Sequence, residues 1–452
     1  MNSEKEDVAN GVANRRSRIG RQLLHIFLFN CLVVIILLLF CESASQVITY
    51  FTFVRYPNER EAYVVADSKL GWTLAPHFIF HDVVSFSDMP VTYRIDEHFR
   101  LDKQEVTQPE HSDVIIIGDS HAFGYYVQEE ETLSCRLYNV LKEQKKPCIV
   151  LNAGVPGYGP VQYLLRLQSL GKLKKNSLVV VYFNPLNDLV NLSTEVHYGR
   201  SKPTIELVGR MAVTKPLIYD PSLNMRFSTE FAFLNRLFRV RQPAPPPLIA
   251  QLARYSATAG LLWGLKWGRV QSVWTETEMT TTSDEKLDVQ SFVKQRQETF
   301  RKGAWAYTKN FWPVVQEFSA EAETLERMLT AVFAKMQRYV NKFDADLLIV
   351  MSQECYRNQA YWKGLTDILE QQSAQYHFDW ILPRKIVLNS ARNSGVEILE
   401  ITYPEERIED MYVPYDGHTS GNGFIEVARQ IESRMDKSAG SVADNVEGSE
   451  GD

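Results

Sequence analysis

Cysteine is scarce: the chain carries five among 452 residues. Cys31 and Cys41 fall in an apolar run near the N-terminus, which leaves Cys135, Cys148 and Cys355 for the remainder. Three cysteines are not a disulfide framework, so a small stapled scaffold is excluded. Cys135 and Cys148 can either bridge, as an oxidising compartment allows, or stand as buried thiols. No grouping of Cys and His has zinc-like spacing, so no metal site is indicated. A basic excess is lacking as well. The formal net charge is −6 and no Lys/Arg cluster dominates, which argues against nucleic acid as a partner. Internal repeats are absent.

Only one long apolar run stands out. After Arg15, Arg16, Arg18 and Arg21, the stretch from Leu23 to Cys41 is interrupted only by His25 and Asn30. At about 1.5 Å per residue it just spans a bilayer core. The basic residues precede it and Glu42 follows, so the positive-inside rule places residues 1–21 in the cytoplasm, a transmembrane anchor at 22–41, and the rest in the periplasm or exterior. A cleaved signal peptide competes, with Ser43, Ala44 and Ser45 as the small-residue site; the run is long for that, and a retained anchor is favoured. Phe40 is bulky for lipoprotein processing at Cys41. A second apolar stretch, Leu248 to Trp267, contains Arg254 and Lys266, which make insertion costly. It reads as an amphipathic helix packed on the body in preference to the membrane surface.

Residues 42–110 mix short strand-like runs with turn signals, such as the alternation from Val91 to Ile95, and read as a lead-in subdomain. Then Val114-Ile115-Ile116-Ile117 forms a continuous β-branched run closed by Gly118, as expected of a strand buried on both faces. Similar runs occur at Ile149 to Leu151, Leu178 to Phe183, Leu347 to Met351 and Val396 to Ile401. Helical patterns lie between them, including Leu133, Leu137, Val140 and Leu141 on one face of a segment beginning near Thr132. This alternation predicts an α/β fold with a mainly parallel sheet covered on both faces. Residues 111–190 and 345–435 carry that pattern. The stretch 191–344 is too long for an ordinary connection and reads as a helical insertion or cap. It contains a break at Pro243, Pro245, Pro246 and Pro247 and an amphipathic segment at Glu321 to Val340. The tail, 436–452, is rich in Gly, Ser and acid and is expected to be disordered.

Gly118-Asp119-Ser120 directly follows a buried strand, which places Ser120 at the carboxyl end of the sheet, where open α/β folds bind ligands. Alone, Gly-Asp-Ser is also good turn chemistry. A serine hydroxyl needs a base in hydrogen-bond reach, and of nine histidines His418 is the candidate. In Asp416-Gly417-His418 a carboxylate two residues upstream can fix the imidazole tautomer and leave the other nitrogen for the serine. Otherwise this polar, Gly-rich segment resembles a surface loop. Two further segments offer oxyanion donors: Asn152-Ala153-Gly154-Val155-Pro156-Gly157-Tyr158-Gly159 after the second strand, where Gly154 can bring its N–H close to the substrate oxygen, and Asn187-Asp188 after the third. Both also occur in plain turns. His77, His81 and His197 have no motif around them.

The order Ser-turn, Gly-turn, Asn-Asp, Asp-x-His resembles the SGNH (GDSL-type) hydrolase family at every block, over residues 66–190 and 345–435. Leu70-Gly71-Trp72 and Tyr93-Arg94-Ile95 resemble the lead-in of its extracytoplasmic, membrane-anchored members. The resemblance implies a three-layer α/β/α, doubly wound flavodoxin-like fold and a serine esterase or acyltransferase. It implies Ser120 as nucleophile, Asp416 and His418 as its partners, an oxyanion hole from Ser120 N–H, Gly154 and Asn187, and no cofactor. Two positions depart from the family: Pro185 stands where Gly is usual, and His121 follows Ser120 where an apolar residue is common. His121 is either a rival base or a wall of the acyl pocket, and its adjacency to Ser120 favours the wall. The expected substrate is an acyl ester of carbohydrate, an O-acetyl group on cell-envelope or exported polysaccharide being favoured. A lipase or lysophospholipase, or a non-catalytic polysaccharide-binding scaffold of an export machine, are the alternatives.

Overall fold

The computed structural model describes residues 25–44, 63–83, 90–101, 108–146, 148–197, 200–208, 211–215, 294, 297, 312–315, 319–356, 358–372 and 376–447. The chain divides into two units. The first comprises Met1–Asn58 and Pro221–Thr275, and of it only helix α1 (His25–Ala44) is described. These 20 residues contain a stretch of mean hydropathy 2.6, none of it buried in protein. Helix α1 is therefore long and apolar enough to cross a membrane, a property it shares with signal sequences. It falls on the run expected from the sequence at 22–41, of which residues 25–41 are described. The flanking arginines, the proline break and Leu248 to Trp267 lie outside the described residues.

The second unit, Glu59–Asp220 and Glu276–Asp452, holds every strand among the described residues. In chain order these are β1 (Val64–Asp67), β2 (Gly71–Leu74), β3 (Phe78–Val83), β4 (Pro90–Asp96), β5 (Phe99–Arg100), β6 (Val114–Gly118), β7 (Val150–Asn152), β8 (Leu178–Phe183), β9 (Val196–His197), β10 (Arg200–Ser201), β11 (Thr204–Val208), β12 (Met211–Lys215), β13 (Asp346–Met351) and β14 (Glu397–Glu400). Eight form one sheet in the order β14-β13-β8-β6-β7-β5-β4-β3. The pairs from β14 through β7 are parallel and those from β7 through β3 antiparallel. Numbered along the chain, the parallel strands lie second, first, third, fourth, fifth. The winding thus reverses direction between β6 and β8, and the carboxyl ends of these two strands mark the position at which open α/β sheets bind ligands.

Among the described residues the unit also holds helices α2 (Ser120–Phe123), α3 (Leu133–Glu143), α4 (Pro160–Ser169), α5 (Pro185–Ser193), α6 (Ser319–Val340), α7 (Ala360–Gln372), α8 (Leu382–Ser394) and α9 (Gly421–Glu447). Alternate residues of each parallel strand serve opposite faces, which is why these strands read as unbroken apolar runs. Ile115 and Ile117 of β6 join a core with Tyr163 and Leu167 of α4, Phe333 of α6 and Val387 of α8. Val114 and Ile116 join a second core with Leu137 of α3, Leu365 of α7 and Val427 of α9. The sheet is thereby covered on both sides. Thr132 caps α3 by accepting a hydrogen bond from Cys135 N at 3.2 Å, the position at which the sequence predicts the helix to begin. Cys135 and Cys148 are free thiols.

Three expectations differ from the structure. The lead-in is not a separate subdomain: β3, β4 and β5 extend the main sheet, joined to it where Arg100 pairs with Asn152. Such pairing between short strands is non-local and leaves no trace in periodicity. The 191–344 stretch opens with the small antiparallel pairs β9–β10 and β11–β12. Its closing helix α6 belongs to the layer beside α8, where Leu325, Leu329, Val332, Phe333 and Met336 are buried. The tail is helical through Glu447; extending a packed helix by a residue needs no new nucleus, so α9 continues beyond the body it packs on.

Candidate active site

Strand β6 ends tightly. A Cβ on Gly118 would stand 2.6 Å from Ala122 Cβ and 2.7 Å from Tyr182 O, so only glycine lets the chain turn directly into α2. Asp119 caps that helix, accepting from His121 N at 2.9 Å, and Ser120 becomes its first residue. Four residues later the helix stops at Gly124, φ 76°, in the left-handed conformation glycine favours. The last carbonyl of so short a helix, and those of the turn that follows it, have no partners within the helix. Buried Arg100 of β5 takes them: its guanidinium donates to Phe123 O at 2.6 Å, to Gly124 O, and to Val127 O at 2.9 Å. The same group lies over the rings of Tyr93 and Phe123, 4.8 and 4.9 Å from their centroids. Tyr93 Oη also accepts from Tyr126 N at 2.8 Å. The lead-in strands thus buttress the Ser120 turn.

His418 arrives from 298 residues away. It sits in the loop before α9, closed by an antiparallel bridge between Tyr412 and Thr419 and by Val413 N donating to His418 O at 2.7 Å. Gly417 within it has φ 93°, and a Cβ there would meet Cys355 Sγ at 2.6 Å and Trp362 Nε1 at 2.8 Å. A side chain is excluded twice over, by conformation and by space. The loop brings His418 Nε2 to 2.8 Å from Ser120 Oγ, while His418 Nδ1 bonds Asp416 Oδ1. Because a carboxylate only accepts, Nδ1 carries the proton and Nε2 is left to accept from the serine hydroxyl. Burial by itself would push the imidazole pKa down; the charge and hydrogen bond of Asp416, with the charge of Asp119, outweigh it and hold His418 above its ordinary value. The structure therefore brings together Ser120, His418 and Asp416.

Asn187 lies in the first turn of α5, where Pro185 occupies a position that needs no N–H donor. Its Nδ2 donates to Asp119 Oδ2 at 2.6 Å and its Oδ1 accepts from Asn191 Nδ2 at 3.3 Å. The Asp119 bond uses one of the two amide hydrogens and leaves the second available to another acceptor. Gly154 differs from expectation. Its N–H donates to Asn152 Oδ1 at 3.1 Å instead of standing ready for a substrate oxygen. It is glycine because α2 packs on it: a Cβ would meet Phe123 N and come within 2.7 Å of Ala122 C. Leu70-Gly71-Trp72 stitches this block in place, with Trp72 Nε1 donating to Pro156 O at 3.0 Å and Gln162 Nε2 to Leu70 O at 2.7 Å.

Sequence reasoning missed the layer beneath. Asp119, fully buried, is the hub that orients Asn187, and burial raises its pKa against the opposing pull of the His121 N–H, His418 and Asn187. Below it Asp188 accepts from Tyr163 Oη at 2.5 Å and Asn184 N at 2.8 Å. Burial first, then the charge of Asp119, pushes its carboxyl well up. Burial also pushes nearby Lys202 down to about 7. The signal for Asp119 was its place inside the Ser motif and that for Asp188 its place beside Asn187; Tyr163 and Lys202 had none. His121 is not positioned as a base for Ser120, since its ring nitrogens face Thr419 and Asn184. Among the described residues no group of His, Cys, Asp and Glu is arranged to hold a metal ion.

No family model matches the chain, and no curated protein matches it. Among the solved structures that match, one crystal structure has a TM-score of 0.31 and 9% identity, covering 72% of this chain and 97% of that chain; a likeness of that degree carries no argument. What the site can do is therefore read from its own chemistry. A serine hydroxyl bonded to an oriented imidazole that is backed by a carboxylate has the arrangement general-base activation of a nucleophile requires.

Proposed function

We propose that the protein is a serine ester hydrolase or O-acyltransferase of the SGNH type, acting outside the cytoplasmic membrane. The observation that carries this reading is the 2.8 Å approach of His418 Nε2 to Ser120 Oγ, with Asp416 on the far side of the ring. The second-first-third-fourth-fifth strand order, which is the flavodoxin-like winding of that family, adds support.

In this mechanism Ser120 Oγ attacks the acyl carbon as His418 Nε2 takes its proton, and Asp416 steadies the imidazolium. Ser120 N–H, which as the first amide of α2 has no intrahelical acceptor, and the remaining Asn187 Nδ2 hydrogen receive the oxyanion. Gly154 joins them only by turning its N–H away from Asn152. Collapse expels the alcohol, which takes the proton from His418, and leaves an acyl group on Ser120. Water or a sugar hydroxyl, deprotonated by His418, then releases it. The apolar helix α1 supports a membrane tether, and an outward-facing site favours O-acetyl esters of cell-envelope or exported polysaccharide as substrates. Full-length protein in detergent is expected to hydrolyse p-nitrophenyl acetate faster than the octanoyl ester and to take a fluorophosphonate on Ser120. Turnover that survives Ser120→Ala would remove Ser120 from the mechanism.

A further inference from the structure

His121 lies face to face with His418, ring centroids 4.5 Å apart and planes 21° from parallel. Its protonation state follows from backbone chemistry. Asn184 caps α5, and its Oδ1 accepts from Asn187 N at 3.3 Å. Since a backbone N–H can only donate, Oδ1 faces it and Nδ2 faces His121. Asn184 Nδ2 stands 3.1 Å from His121 Nε2, so Nε2 accepts and carries no hydrogen. The proton sits on Nδ1, 3.4 Å from Thr419 Oγ1, which in turn bonds Tyr182 Oη at 3.0 Å. Asn184, Thr419 and Tyr182 are all buried, so water does not compete for these bonds.

We infer that His121 is a positioning residue, locked as a neutral ring by the N-cap of α5, whose aromatic face steadies the imidazolium formed when His418 accepts the Ser120 proton. A cation within about 6 Å of an aromatic face is stabilised by it, most when water is excluded. A charged ring in the same place would repel that imidazolium. The other groups facing the pair are Asp416 on the His418 loop, Asp119 on the Ser120 turn, Tyr182 of β8 with its ring centroid 6.3 Å from His121, and Tyr125 and Tyr126, 6.0 and 5.4 Å from the His418 ring. Burial, followed by the charge of His418, holds His121 well below its ordinary pKa, in keeping with the lock.

The role rests on reading His418 as the base, and the test separates the two. Full-length protein carrying ¹³C,¹⁵N-histidine is titrated by NMR, with p-nitrophenyl acetate turnover and fluorophosphonate labelling of Ser120 measured in parallel. Wild-type His121 is expected to remain an Nδ1–H neutral ring through neutral pH. His121→Leu should lower the His418 pKa by about one unit and cut kcat/KM about tenfold, and His121→Phe, which keeps a ring, should restore most of both. Asn184→Asp keeps the cap on Asn187 but offers His121 Nε2 a carboxylate; it should put a second proton on His121 and lower the His418 pKa as well. A wild-type His121 protonated on Nε2, or a His418 pKa unmoved in both His121→Leu and Asn184→Asp, overturns the inference. Absent turnover and labelling with the NMR shifts intact would instead strike the esterase reading alone.

Discussion

The two halves of the site are built differently. Ser120 is held by its neighbours in the chain: a buried strand before it, Asp119 capping its helix, and a glycine stop after it, with Arg100 securing the end. His418 hangs on a loop whose shape depends on distant residues, Cys355 and Trp362 beneath Gly417 and Met411 bonded to Ser420 N at 2.9 Å. One half is a local structure that the rest of the protein supports; the other exists only when the fold is complete. Loss of the Ser120 hydroxyl should therefore remove the chemistry outright, strain in the His418 loop should detune it, and loss of a support beneath Ser120 should cost stability before activity.

The sharpest break is Ser120→Ala, expected to lower kcat for p-nitrophenyl acetate by about 10⁶-fold with folding intact by circular dichroism. Next comes Asp416→Asn, expected to cost about 10⁴-fold and to move the pH profile. The working base is neutral, so activity rises with pH through the His418 pKa, which the structure holds above 6.5. Without the Asp416 charge, burial prevails and the acid limb should move to lower pH; a shift upward would contradict the assignment. Gly417→Ala should strain the loop and displace the imidazole, lowering kcat by about 10²-fold, while Ser120 stays in place. Arg100→Ala should cost more stability than activity. Stranding three buried carbonyls is worth about 3 kcal/mol or more, visible as a lower thermal midpoint, with turnover per folded molecule falling only several-fold. An Arg100→Ala chain as stable as wild type would show that α2 holds itself.

The same contrast explains what the sequence made legible. Strands β6, β8 and β13 declare themselves because both their faces are buried, and Ser120 is readable from its position after one of them. Asp416-Gly417-His418 is readable only as a spacing, since nothing local says that the loop closes on Ser120. The Gly154 N–H turned toward Asn152 was not legible, because a glycine demanded by close packing looks the same in sequence as one demanded by an anion. Arg100, Asn184 and Tyr182 were missed for a related reason: each acts through a partner far along the chain, with no periodicity or motif to mark it. The extension of the sheet by β3 to β5 went unseen because it rests on a single cross-strand pair, Arg100 with Asn152.

The central claim is that Ser120 is a nucleophile because His418 reaches it. Mass-spectrometric mapping of a fluorophosphonate adduct on the full-length protein tests this most directly. The adduct is expected on Ser120 in wild type and should be lost in His418→Ala; labelling of Ser120 that proceeds equally well without His418, or labelling of another residue in its place, would contradict it.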